Sequence, residues 1–231
     1  MEAHKLSLGA LYRTLDQPGT EDVRSVNAVV GETNDGGLND IRGMHVKPAH
    51  VIEAMTKAAS GPVAEGSVGA GTGTIAFGWK GGIGTSSRRV PRARDASAGA
   101  WTVGVLVQTN YGGALRIDGK LIAPPSRGGD APTSSDGRSC MIVVATDAPL
   151  DARDLKRLAA RAVFAMARTG SSYSNGSGDY AIAFSTHPSL RVRMGEGEPQ
   201  TRTILPTDGV SRLFSAVLDA ASCGDKWTRI L

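Results

Sequence analysis

Cysteine is scarce in this chain. There are two in 231 residues, Cys140 and Cys223, and they form neither a zinc-type spacing nor a disulfide framework. That usage suits a reducing compartment, and the expected location is cytoplasmic. Aromatic residues make up only 5% of the sequence. None interleaves the basic run from Arg88-Arg89 to Arg94, so the run reads as a solvated basic loop, with no nucleic-acid partner expected. The charge excess is modest, +4. No apolar run is long enough to cross a membrane, and the opening Met1-Glu2-Ala3-His4-Lys5-Leu6 lacks the apolar centre of a signal peptide.

Nucleotide signatures are lacking too. Gly69-x-Gly71 has neither the lysine nor the serine of a phosphate loop at the required offset. The third glycine of a dinucleotide fingerprint is missing, and no long helix follows.

What is abundant is glycine, with 30 residues, beside 40% hydrophobic and 21% charged residues. This is the composition of a packed α/β domain with many tight turns. Residues 1–25, punctuated by Gly9, Pro18 and Gly19, read as a loose lead-in. A short strand is expected at 26–30, followed by the polar turn Gly31-Glu32-Thr33-Asn34-Asp35-Gly36-Gly37-Leu38-Asn39-Asp40. Pro48 suits the first position of a helix whose apolar face is Val51, Ile52, Met55, Ala58 and Ala59, stopped by Gly61-Pro62. Residues 75–80 read as a strand between glycine-rich turns, 88–99 as a loop, and 101–108 as a strand ended by Thr109-Asn110-Tyr111-Gly112-Gly113. Asp118-Gly119 is a good hairpin turn inside 115–122. Residues 123–138, rich in Pro, Gly and Ser, read as an exposed linker.

The chain is organised around Asp136-Gly137-Arg138-Ser139-Cys140-Met141-Ile142-Val143-Val144-Ala145-Thr146-Asp147-Ala148-Pro149-Leu150. A polar loop meets an apolar β-branched strand, with a cysteine at the junction. Two readings of Cys140 stand side by side. Cysteine packs readily as a small buried hydrophobe. A small nucleophile after a loop also fits a self-cleaving hydrolase, in which cleavage before the residue frees an α-amine to serve as base. Its reference pKa of about 7.7–8.0 leaves a useful neutral fraction near neutrality. A helix follows, capped by Asp151 with Asp154 three residues on, faced by Leu155, Leu158, Ala159, Ala162, Val163 and Met166, and stopped by Gly170. Next come Ser171-Ser172-Tyr173-Ser174-Asn175-Gly176-Ser177-Gly178-Asp179, a strand at 180–186, and a last helix at 210–221.

Five segments in order resemble one family. They are Glu32-Thr33-x-Asp35-Gly36-Gly37-Leu38-Asn39-Asp40-Ile41, Gly61-Pro62-Val63-Ala64-Glu65-Gly66, Val103-Gly104-Val105-Leu106-Val107-Gln108-x-Asn110, Ala145-Thr146-Asp147-Ala148-Pro149-Leu150, and Asn175-Gly176-Ser177-Gly178-Asp179 with Ala183-Phe184-Ser185-Thr186. From about Val26 to about Ala221 the chain is similar to the L-aminopeptidase D-amidase/D-esterase and β-peptidyl aminopeptidase family.

The resemblance implies an αββα sandwich of α+β class, of the type shared with ornithine acetyltransferases, here without N-terminal and C-terminal parts of the family domain. It also implies a single domain over residues 1–231 that cuts itself between Ser139 and Cys140 into chains 1–139 and 140–231. Cys140 would be the nucleophile, where the family usually has serine and sometimes threonine. Ser139 is the alternative nucleophile after a one-residue slip. Asn110 would be the oxyanion donor, and Ser177 and Asp179 would hold the network at the new amine. Glu32 would bind the substrate's α-ammonium group. Asn34 falls at a substrate-binding position where the family often has tyrosine. No metal and no organic cofactor are implied. The implied substrates are short peptides, amino-acid amides or esters, and the implied assembly is a homo-oligomer, often a tetramer of αβ units. An acyltransferase on the same fold and a catalytically inactive homologue are the alternatives.

Overall fold

The computed structural model describes residues 2–15, 17–92, 96–124, 139–193 and 195–225. The expected linker falls almost wholly on residues 125–138, outside the described residues.

The centre is a four-stranded sheet of β3 (Ile83–Pro91), β4 (Ala100–Gln108), β7 (Cys140–Thr146) and β8 (Asp179–Ser185), in the order β3-β4-β7-β8. The first three pair antiparallel, and β7 pairs with β8 in parallel. Helix α3 (Ala152–Thr169) makes the crossover from β7 to β8, and α4 (Ser211–Asp225) closes the described chain. Both helices pack on one face of the sheet. Strand alternation sends Val103, Val105, Val107, Ile142 and Val144 to that face, where they meet Leu158, Ala162, Met166, Leu213 and Val217. Each large side chain buried there contributes about 1.5–3 kcal/mol.

The other face of β7 and β8 is apolar and open. Val143, Ile182 and Phe184 are exposed there by 36%, 46% and 45%. The described residues thus form one α layer and one β layer of the sandwich. Their remaining strands make only two small ribbons, β1 (Ile75–Ala76) with β2 (Trp79–Lys80), and β5 (Arg116–Ile117) with β6 (Lys120–Leu121).

Several local expectations hold. Asp151 caps α3, its carboxylate accepting the Asp154 N–H at 2.8 Å. Gly170 ends it in the left-handed conformation, φ 100°, where a Cβ would collide with the Ala114 carbonyl. Asp118 and Gly119 both have positive φ, 51° and 78°, as a type I′ hairpin turn requires.

Five expectations are corrected. Residues 1–25 are not a loose lead-in, because α1 (Glu2–Leu15) occupies most of them and packs on α2 (Pro48–Thr56). Gly9 lies where the two helices touch, with no room for a Cβ beside the Pro48 carbonyl and the Val51 side chain. Residues 26–30 join no sheet. The α2 helix starts at Pro48 as expected but stops at Thr56, before Ala58 and Ala59, and buries none of its residues. The basic stretch is not all loop, because β3 runs through Arg88 and Arg89 to Pro91. Its polar residues are tolerated because β3 is an edge strand, and Pro91 stands at its end. Residues 75–80 are a two-strand ribbon, not one strand.

Candidate active site

The topology gathers the chemistry at one end of the sheet. Because β4 runs antiparallel to β7, the end of β4 lies beside the start of β7, which pairs in register with the start of β8.

Cys140 pairs with Asp179 across the parallel ladder. Its backbone N–H donates to the Gly178 carbonyl at 3.3 Å and is also held by the Asp179 carboxyl. The Ser177 hydroxyl donates to Asp179 Oδ1 at 3.0 Å. In return the Gly178 N–H donates to Ser139 Oγ at 3.1 Å. The residues on both sides of the expected cut are therefore held by the Ser177-Gly178-Asp179 turn. Burial pushes the Asp179 carboxyl above the ordinary aspartate pKa, against the opposing pull of the Ser177 and Cys140 hydrogen bonds.

Asn110 follows the strand pair Gln108–Met141 by two residues, so the register continues it to the level of Ser139. It is 1% exposed and its amide is fixed at both atoms. Oδ1 accepts the Ile75 N–H at 3.0 Å, and Nδ2 donates to the Asn34 carbonyl at 2.8 Å. One amide N–H goes to Asn34, so the expected oxyanion role would rest on the other.

The ribbon bearing Glu32 crosses the same end. Gly31 lies on the Met141 thioether so closely that a Cβ would come within 2.7 Å of sulfur. The Thr33 hydroxyl accepts from Gln108 Nε2 at 2.8 Å, and the same nitrogen reaches the Ala70 carbonyl at 3.2 Å. Glu32 lies between these anchors with its side chain exposed. Asn34 contributes its carbonyl to Asn110, and its own side chain caps a turn by accepting the Gly36 N–H at 3.0 Å.

Cys140, Asn110, Ser177 and Asp179 thus converge, with the Glu32–Asn34 ribbon tied to them through Asn110 and Gln108. The Cys140 thiol is fully buried, on the same strand face as Ile142 and Val144. Gln108 and Gly178 carry no role in the sequence reading. A signal for Gln108 was present, since a polar side chain ends the apolar run Val103-Gly104-Val105-Leu106-Val107 of β4. Gly178 acts through its backbone and leaves no such signal.

The second cysteine lies elsewhere. Arg88 Nη2 donates to Cys223 Sγ at 2.9 Å, beside a groove of about 390 Å³ that includes Asp118, Arg168 and Asp219. Among the described residues no group of His, Cys, Asp and Glu could hold a metal ion.

Residues 3–223 match the model of peptidase family S58. The chain is 44% identical over 209 residues to the β-peptidyl aminopeptidase BapA of Sphingosinicella microcystinivorans, covering 83% of this chain and 51% of that protein. Among solved structures it superposes on the PH0078 protein of Pyrococcus horikoshii OT3 with TM-score 0.82 at 40% identity, covering 97% of this chain and 61% of the other. It superposes on the L-aminopeptidase D-Ala-esterase/amidase of Ochrobactrum anthropi, described as a variant of the Ntn hydrolase fold, with TM-score 0.81 at 33% identity and the same coverages. The chain therefore spans about half the length of that curated relative and about three-fifths of these solved chains. Motif order, the end-of-sheet cluster and the near-complete family match agree, and the chain belongs to peptidase family S58.

Proposed function

We propose that this chain is a self-processing aminopeptidase or amidase whose nucleophile is Cys140. The observation that carries the reading is the Cys140 backbone nitrogen, held by the Asp179 carboxyl beside Ser177. That nitrogen becomes the α-amine once the bond before Cys140 is cut.

Processing balances as follows. Cys140 Sγ attacks the Ser139 carbonyl carbon, the peptide nitrogen leaves and takes the thiol proton, and a thioester forms. Water then cleaves the thioester, leaving Ser139 as a C-terminal carboxylate and Cys140 with a free amine. In turnover that amine takes the thiol proton while Sγ attacks the substrate carbonyl. The oxyanion forms against the Asn110 amide, an interaction worth about 2.7–4 kcal/mol in comparable sites. The leaving amine or alcohol receives the proton, and water releases the acid. Glu32 pairs with the substrate's α-ammonium and selects a free N-terminus. The substrates are short peptides, amino-acid amides or esters.

The same reading places the protein in the cytoplasm as a homo-oligomer. The sparse cysteine usage supports the first, and the open apolar face of β7 and β8 supports the second. A nucleic-acid role is disfavoured because Arg88 and Arg89 are engaged within the protein, with Ser86, Cys223 and Thr102. Among the described residues no helix is long and apolar enough to cross a membrane.

One observation favours a second reading, an inactive homologue: the Cys140 thiol is fully buried. Intact mass under denaturing, reducing conditions decides, with Cys140→Ala as control. Two fragments dividing between Ser139 and Cys140, absent from the variant, support the enzyme. Division before Ser139 moves the nucleophile to that residue. An uncut chain in both samples overturns self-processing.

A further inference from the structure

We propose that Tyr180 lines the leaving-group side of the site, so that substrates whose second residue is aromatic are cleaved in preference to those with glycine there. The proposal rests on the aminopeptidase reading above and deepens it. It holds whichever side chain at the Ser139–Cys140 junction attacks the substrate.

The sheet register sets the geometry. Gln108 of β4 pairs with Met141 of β7, and Met141 pairs with Tyr180 of β8. Their neighbours Val107, Ile142 and Ala181 pack with the helix-covered core. Alternation therefore turns Gln108, Met141 and Tyr180 to the opposite face, in one row across the end of the sheet. The segment bearing Glu32 crosses part of that row. Thr33 is bonded to Gln108 at 2.8 Å, and Gly31 lies against the Met141 thioether. Glu32 stands between them, on the β4 side of the junction. Tyr180 stands on the other side, one strand beyond.

The crossing segment leaves the Tyr180 ring open. The ring residue is 66% exposed, and Val29, two residues before Gly31, is 82% exposed. The ring is nevertheless at the site. A Cβ added at Gly178 would stand 2.8 Å from the ring and 3.4 Å from Ser139 Oγ, so one atom there would touch both.

A substrate with its ammonium at Glu32 and its carbonyl at the junction runs from the β4 side to β7. Its scissile C–N bond then continues toward β8, and the leaving residue meets the Tyr180 ring. An aromatic side chain on that residue packs face to edge or offset against the ring, whereas glycine leaves the ring in water.

The test uses the full chain, with the release of the second residue followed by chromatography. The substrates are Ala-Phe-amide and Ala-Gly-amide, with the single-residue amides of alanine and phenylalanine beside them. The readout is the kcat/KM ratio of the first pair within each protein, so a general loss of folded enzyme cancels. The parent should favour Ala-Phe-amide, and Tyr180→Ala should lower the ratio about 2- to 12-fold, the range of one aromatic pair. Tyr180→Phe, which keeps the ring, should hold the parent ratio. An unchanged ratio in Tyr180→Ala overturns the proposal, as does an equal fall in Tyr180→Phe, which would assign the preference to the hydroxyl. A Tyr180→Ala effect confined to the alanine and phenylalanine amides also overturns it, by moving the ring to the acyl side. These three results leave the hydrolase reading standing. A parent chain that cleaves none of the four compounds overturns both.

Discussion

The amide of Asn110 donates a 2.8 Å hydrogen bond to the carbonyl of Asn34, 76 residues earlier in the chain. The same amide accepts the Ile75 N–H through its oxygen. One buried side chain thereby joins the proposed oxyanion position, the segment bearing Glu32 and the first small ribbon of the fold. Asn110→Asp keeps an acceptor for Ile75 and removes the N–H donors. It should fold, cut itself slowly, and lose about 10²–10³ in kcat. Asn110→Ala removes both partners and should also cost about 1–3 kcal/mol of stability, because it orphans the Ile75 N–H. Unfolding curves beside single-turnover rates separate the two effects. A kcat within threefold of the parent for Asn110→Asp would remove Asn110 from the chemistry.

The Asp179 carboxyl gives a pH signature. Its folded pKa lies above the ordinary aspartate value, chiefly through burial. Between the unfolded and folded values the native state holds the proton more tightly, so this group's contribution to stability falls as pH rises through that window. Above the window the buried charge is a standing cost. In a Cys140→Ala background, which keeps the chain uncut, Asp179→Asn should therefore gain stability relative to its parent as pH rises from the ordinary aspartate value through the raised one. Chemical denaturation across the acid range measures the difference, and parallel profiles would contradict it.

The two faces of the central sheet should respond oppositely to substitution. Leu213 is fully buried between α4 and the sheet, and Leu213→Ala should cost about 2–5 kcal/mol. Ile182 is 46% exposed on the opposite face of the same sheet, and in dilute protein with no partner copy on that face Ile182→Ser should change stability by no more than about 0.5 kcal/mol. A loss at Ile182 comparable to that at Leu213 would mean that this face is covered in solution.

Features readable from sequence were those whose chemistry is local. Asp151 with Asp154, Gly170, and Asp118-Gly119 each declare a cap or turn within four residues, and each stands as expected. Strand β7 was legible because it is a continuous β-branched run. Helix α1 was not, because Gly9 reads as a breaker until α2 is seen to need its missing side chain. The start of β3 was hidden for a similar reason. Its Thr85 is held by Glu65, from the N–H at 2.8 Å and also from the hydroxyl, and its Arg88 by Cys223, 135 residues away. The site followed the same division. The residue types at positions 32, 110, 140, 177 and 179 could be matched to a family pattern, whereas the bonds that bring them to one sheet end depend on register, which no single segment encodes.

Gln108 offers the sharpest test of how the Glu32 ribbon is held. Its amide reaches the Thr33 hydroxyl at 2.8 Å and the Ala70 carbonyl at 3.2 Å, from a residue only 8% exposed. It touches the neighbour of Glu32, so in the proposed mechanism it is a positioning residue. Gln108→Met keeps the length and apolar stem and deletes both bonds. The expected effect is a KM for amine-bearing substrates raised about 2- to 12-fold, the range of one neutral hydrogen bond, with kcat changed less. Glu32→Gln removes the partner of the ammonium itself and should raise KM further. Because Gln108 works only through Glu32, adding Gln108→Met to Glu32→Gln should raise KM little more, a non-additivity that a double-mutant cycle reads directly. Fully additive losses would show that Gln108 merely stabilises the fold.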